Sequence, residues 1–265
     1  MAIFYRTYWD RKYGLLGWAI GIAAYMMLMG WYYPTFAQEK EAMEALLESF
    51  PDAMLALFGA GNSVDLMSGS GFLTIEAFGL MLPIFFSIFA MGIGSQAIAG
   101  EETDGTLELL AAMPVSRNQL YLEKFSALLC LVVVLGICLW LSVLVASAWG
   151  NMGIAKAPIA GSSLMVSLLG LFFGTVTFVA GSITGRRGRT VAIGTIIMVI
   201  TYSLNALAQM IESLTFIRWL SPFFYYSEGM SLNRALQVGD ALPLSVGIIV
   251  VGGIGFFIFR KRDIR

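Results

Sequence analysis

The run AGEETDGTLELLAAMPVSR, residues Ala99–Arg117, is the longest acid-rich amphipathic stretch in the sequence. Glu101, Glu102, Asp104 and Glu108 stand close together, with Thr106, Leu107, Leu109 and Leu110 among them. The chain is apolar on both sides of it. Ala77–Gly100 leads into the run and Phe125–Ala155 follows, and neither holds an Asp, Glu, Lys or Arg. A water-facing island between two charge-free segments reads as a loop between membrane spans. Its leucines want burial against something other than lipid, which points to a docked partner, and Gly105 permits close approach.

Working outward, the same alternation recurs along the whole chain. Of 265 residues, 58% are hydrophobic and 12% charged, where soluble domains carry about 25% charged residues. Six stretches have no charge at all: Tyr13–Gln38, Ala77–Gly100, Phe125–Ala155, Ala157–Gly185, Thr190–Ile211 and Ala241–Phe259. About 20 apolar residues cross a hydrocarbon core of roughly 30 Å. Soluble helices keep one polar face, and six successive stretches without one exclude a soluble core. The expected fold is an all-α integral membrane domain, residues 1–265, with spans at about 14–33, 74–99, 119–148, 158–183, 190–211 and 241–259. The first apolar stretch is too long for a cleaved signal peptide and reads as a retained span.

Basic residues orient it. Arg6, Arg11, Lys12, Arg117, Lys124, Arg186, Arg187, Arg189, Arg260, Lys261, Arg262 and Arg265 fall on one side of such a topology, and Lys40, Lys156, Arg218 and Arg234 on the other. Cytoplasmic loops collect Lys and Arg, so both termini and the Glu101 segment are expected in the cytoplasm. The net charge of −1 hides this asymmetry and gives no sign of nucleic-acid binding.

Residues 1–13 alternate aromatics with Arg6, Arg11 and Lys12, the pattern of an interfacial helix lying in the membrane plane. In the first span Gly17 and Gly21 have a spacing that permits close helix contact, and Pro34 is expected to end the helix. Residues 35–73 form an external segment. Gln38–Phe50 is amphipathic, Ala53–Phe58 reads as a second short helix, and Gly59–Gly71 as a loop. Pro83 should kink the second span. Ser116 with Gln119 fits a capping box at the start of the third. Gly170 with Gly174, and Gly181 with Gly185, give the fourth span the same close-packing spacing.

The fifth span carries the one regular polar seam: Thr195, Met198, Tyr202, Asn205 and Gln209 recur every three or four residues and share a helical face. Asn and Gln are costly against lipid, so this face should meet protein or water. Trp219–Tyr226, divided by Pro222, is too aromatic for a solvated loop. It makes 212–240 an external hairpin that re-enters the membrane face, where protein or a wet cavity must satisfy its backbone.

No catalytic residue emerges. The chain has no histidine and no GxxxxGK run followed by Ser or Thr. Neither Cys130 nor Cys138 has a disulfide or metal spacing, and no metal ligand set appears. No span holds an ionisable residue near its middle of the kind that a coupled carrier uses. Energy for any transport must come from elsewhere.

The run EETDGTLELLAAMPVSR, followed by Tyr121-Leu-Glu-Lys124, resembles the signature of ABC-type-2 permeases, the membrane subunits of bacterial ABC exporters. Leu220–Tyr225 and the tail Phe259–Arg265 resemble that family less specifically, and the six-span order extends the similarity over nearly the whole chain. The resemblance implies a bacterial or archaeal cell-membrane, multi-pass subunit. It would pair with a second permease, identical or homologous, and with two ATP-binding subunits that hold ATP and Mg, cofactors this chain does not itself bind. It implies that 99–112 is a coupling helix seated in the ATPase through Glu101, Glu102, Asp104, Gly105, Thr106, Leu107, Glu108, Leu109 and Leu110. Arg6, Arg11 and Lys12 would add an entry-helix contact, and spans two and five would line the pathway, where the Thr195–Gln209 seam falls. A pathway of Tyr, Phe, Met, Asn and Gln suits an amphipathic drug, antibiotic peptide or lipid. The alternative is a non-transporting membrane partner or an immunity or assembly factor sharing the fold; an intramembrane enzyme is more distant.

Overall fold

The computed structural model describes residues 2–38, 68–105, 116–210 and 216–261, and every regular element among them is helical. Six helices are long and apolar enough to cross a membrane: Ile3–Gln38, Gly69–Thr103, Arg117–Trp149, Lys156–Thr184, Arg187–Ala208 and Val238–Lys261. They are called spans one to six below. Two expected helices, Gln38–Phe50 and Ala53–Phe58, lie outside the described residues beyond Gln38.

Span one corrects two expectations. It belongs to a single helix, Ala2–Gln38, so residues 2–13 continue it and form no separate element. Pro34 lies inside that helix and does not end it. A proline leaves the carbonyl four residues earlier without its donor, here that of Gly30. That oxygen lies 2.8 Å from where a Cβ on Gly150 would stand, so the end of span three covers it at a close approach only glycine allows. Among the described residues nothing lies within 4 Å of a Cβ position on Gly17 or Gly21. They line an open groove of about 550 Å³ with Gly14, Trp18, Ile22, Tyr25 and Phe85.

Span two is segmented. Ser68 caps its start by accepting from Gly71 N–H, so helix begins at Gly69, inside the stretch that reads as loop. A π-helical turn follows over Thr74–Phe78. Gly79 and Leu80 then interrupt the helix, which restarts at Met81 with Pro83 in its first turn. The proline effect is thus a break four residues upstream, where its ring excludes an α-helical carbonyl, rather than a kink at Pro83. A second π turn, Gln96–Gly100, leads into Glu101–Thr103.

Span four is the centre of the bundle. Its neighbours are spans two, three, five and six, and it is the most buried of the six. Small residues make this possible. A Cβ on Gly170 would meet Phe86, one on Gly174 would meet Ala90, and one on Gly94 of span two would stand 2.5 Å from Thr177 Oγ1. Three hydroxyls of this core return their protons to their own helix. Ser167 donates to Ser163 O, Thr175 to Leu171 O and Thr184 to Ala180 O. No polar group of these three needs a partner from lipid.

The helices alternate direction, which gathers the basic residues at one end. There Glu123 meets Ile3 and Phe4, Lys124 meets Glu101, and Thr184 meets Thr190 across the Gly185 turn. Gly185 takes a left-handed conformation, φ 62°, to close span four. At the opposite end Ser162 donates to Ser231 O, and Arg234 pairs with Asp240 at 2.6 Å, a contact that raises the Arg234 pKa.

Candidate functional site

The acid segment sits at the C-terminal end of span two. Asp104 N–H donates to Gly100 O and Gly105 N–H to Glu102 O, and Gly105 adopts φ +70°, a left-handed helix stop. This corrects the expectation of one helix over 99–112, because the helix that contains Glu101 stops before Gly105. Glu101 and Glu102 therefore face the partial negative charge of a helix C-terminus. Among the described residues nothing lies close to a Cβ position on Gly105, and its glycine serves the turn. Thr106, Leu107, Glu108, Leu109 and Leu110 lie outside the described residues.

Lys124 offsets that unfavourable dipole. Its ammonium lies 2.5 Å from Glu101 Oε2, with the lysine side chain fully buried and the glutamate 28% exposed. Lys124 is the one buried Lys, Arg, Asp or Glu among the described residues. The start of span three that carries it is fixed by Ser116, whose hydroxyl accepts from Gln119 N–H at 3.2 Å. The expected capping box is half formed: the Gln119 amide turns forward to Glu123 Oε1 instead of back to Ser116.

Three neighbours on this first stretch of span three reach three different elements. Tyr121 donates to Gly252 O of span six at 2.7 Å, and its ring packs on Phe178, Phe256 and Phe259. Glu123 accepts from Ile3 N–H and Phe4 N–H at 3.0 and 3.1 Å, capping the first turn of span one. Lys124 holds span two. Side chains two and three positions beyond Tyr121 are rotated by about 200° and 300° round the helix, which is why the three diverge. The sequence marks Tyr121-Leu-Glu-Lys124 only through the family resemblance and gives none of the three a partner. The signal available was an ionisable pair at the mouth of an otherwise charge-free span.

The entry-helix cations divide their tasks. Arg11 feels the charges of Glu101, Asp104 and Arg187, which brings spans one, two and five to one corner. Arg6 lies 3.9 Å from Asp10 on its own helix. The Lys12 ammonium rests over the Trp9 ring, 3.7 Å from its centroid, and near Tyr13.

The polar seam of span five turns from outside to inside along its length. Thr195 is exposed, Met198 and Tyr202 are half-buried, and Asn205 is buried at 6%. The side chain of Gln209 lies outside the described residues. The protein that this face meets at Tyr202 is its own chain: the Tyr202 ring stands edge-on to Phe223, 5.2 Å away. Phe223 belongs to the short helix Pro222–Gly229, preceded by a 3-10 turn at Ile217–Leu220. Ser221 donates to Thr201 O, Phe223 stacks on Phe173, and Tyr226 donates to Phe78 O at 2.5 Å. This short helix thus contacts spans two, four, five and six. The outward face of span five is apolar, with Ile196, Val199, Ile200 and Leu207 exposed and Ser203 beside them.

Six apolar helices and a charged corner that joins spans one, two, three and five describe a membrane component. Comparison with curated proteins gives no significant match. The family model for ABC-2 family transporter proteins matches residues 7–264, nearly the whole chain. The chain belongs to that family, as an ABC-2 type membrane permease.

Proposed function

We propose that this chain is the membrane-spanning subunit of an ATP-driven exporter, moving an amphipathic drug, antibiotic peptide or lipid outward. Two ATP-binding subunits, holding ATP and Mg, dock on its cytoplasmic end, and a second permease, identical or homologous, completes the pathway. The observation that carries this reading is the charged corner. An acid-bearing helix end at Glu101, Glu102 and Asp104 stands beside Arg11 and Lys124, at the end of the bundle where basic residues collect. Positive residues collect on the cytoplasmic side, so both termini and this corner face the compartment that supplies ATP.

The mechanism is alternating access driven from outside the chain. ATP-dependent closure of the nucleotide subunits presses the segment after Gly100, and Thr106–Leu110 with it, toward the second permease. The seam between permeases then opens outward. The apolar outer face of span five, with Thr195 and Ser203, meets the second permease. The Pro222–Gly229 helix forms the outer plug of the re-entrant hairpin, beside Tyr202 and Asn205. Aromatic, Met and Asn side chains without fixed charge suit an amphipathic cargo.

Affinity co-purification from native membranes, followed by an ATPase assay, tests this. A stoichiometric ATP-binding subunit is expected, retained by the wild type and lost when Glu101–Leu110 is replaced. Recovery of the chain alone would remove the energy source and favour the non-transporting partner. Glu102→Lys is expected to leave the spans folded and ATP hydrolysis running while transport stops; normal coupled transport in that variant would count against the docking role.

A further inference from the structure

We propose that the Lys124–Glu101 ion pair is the link that routes movement of the docking segment into spans three, six and one, with Lys124 as the positioning residue. This rests on the exporter reading above. The most direct route for such movement, straight up span two as a rigid rod, is interrupted. Between Glu101 and the regular helix of span two lies the π turn Gln96–Gly100, and single π turns within α-helices recur at functional sites. Higher up, Gly79 and Leu80 break the same span again. The last turn keeps its own bonds, Asp104 N–H to Gly100 O and Thr103 Oγ1 to Ala99 O, and the side chain that ties it to span three is Lys124.

Lys124 is suited to that task by its burial. Its side chain has no exposure to solvent, and its ammonium meets Glu101 Oε2. A buried ion pair is a weak source of stability, since apolar residues of similar volume often serve as well or better. Removing one partner alone is costly, because the other charge is left without compensation. A pair of this kind is a poor adhesive and a good register pin: Glu101 cannot move without either carrying Lys124 along or stranding it. Lys124 is one residue from Glu123, which holds the first turn of span one, and one helical turn from Tyr121, which holds Gly252 of span six. A displacement of Glu101 thus reaches two more spans through contacts of 2.7–3.1 Å.

The test uses the full chain with its ATP-binding subunit in lipid nanodiscs, with Cys130→Ala, Cys138→Ala and Ser203→Cys. The rate at which a membrane-impermeant maleimide labels the introduced thiol is measured without nucleotide and with ATP plus vanadate. The otherwise native chain is expected to show a several-fold rise in labelling with nucleotide. Lys124→Met is expected to keep the ATP-binding subunit but lose that rise, and Lys124→Arg to keep both. An undiminished rise in Lys124→Met overturns the proposal alone. If Lys124→Met does not fold, Tyr121→Phe decides, since it keeps the ring and removes only the bond to Gly252 O. A diminished rise in Tyr121→Phe supports the route, and an undiminished one overturns it. A native chain that recovers no ATP-binding subunit overturns the exporter reading, and the proposal with it.

Discussion

Glu123 shows how much one side chain settles at the basic end. A single carboxylate oxygen accepts two backbone donors of span one, and without it the first turn of that helix has two N–H groups to satisfy elsewhere. Glu123→Gln keeps an acceptor but loses its charge, and hydrogen bonds to a charged group are about twice as strong as neutral ones. The expected outcome is a loss of about 1 kcal/mol in local protection at Ile3 and Phe4, read by amide hydrogen exchange, with the rest of the bundle unchanged. Gly105 gives a second residue-scale expectation. Its φ of +70° costs a side-chain-bearing residue about 1–2 kcal/mol, so Gly105→Ala should loosen the helix stop after Asp104 and weaken recovery of the ATP-binding subunit. The sequence made Glu101 and Gly105 visible because charges and a glycine stand out in an apolar chain. It did not reveal that Glu101 pairs with Lys124, because 23 residues separate them and only the antiparallel return of span three brings them together.

Single elements are where local sequence and tertiary packing disagreed most. The capping residue Ser116 was legible because its chemistry is local: one hydroxyl, one N–H three residues on. Pro34 and Pro83 were not, because each has an effect decided by what lies around it. Pro34 stays within a helix whose freed carbonyl another span covers, and Pro83 sits in the first turn after a break. The glycine spacing was legible in span four, where Gly170 and Gly174 do meet span two. In span one it says only that Gly17 and Gly21 could admit a neighbour, and among the described residues none arrives. The contact between spans two and four makes a firm prediction. A Cβ on Gly94 would stand 2.5 Å from Thr177 Oγ1 and closer still to Gly174 O. Gly94→Leu must force the two helices apart, at a cost of about 1–3 kcal/mol or more. Lower thermal stability in detergent is expected, with six spans still inserted, since each span's own hydropathy is untouched.

For the whole molecule, composition and charge placement were sufficient to foresee six apolar helices, while the choice of the central one came from the structure. Hydropathy ranks spans by their affinity for lipid and says nothing about which is sequestered; span four reveals itself only through Ser, Thr and Gly on several faces. Orientation is testable on the full chain. A reporter fused after Arg265 that is active only in the cytoplasm is expected to be active, and a reporter active only outside is expected to be silent; the reverse would invert the topology drawn from the basic residues. The buried, hydroxyl-rich character of span four also bears on how the protein is made. Membrane chains emerge from the ribosome N-terminus first, so span four enters the bilayer after spans two and three, two of its four neighbours, and before five and six. Ser167, Thr175 and Thr184 already bond to carbonyls of their own helix, which eases its entry into lipid before the bundle is complete. Its glycine face finds Phe86 and Ala90 already in place. Spans five and six then close over a helix that has been seated first, so the order of synthesis is also a workable order of assembly, from the centre outward.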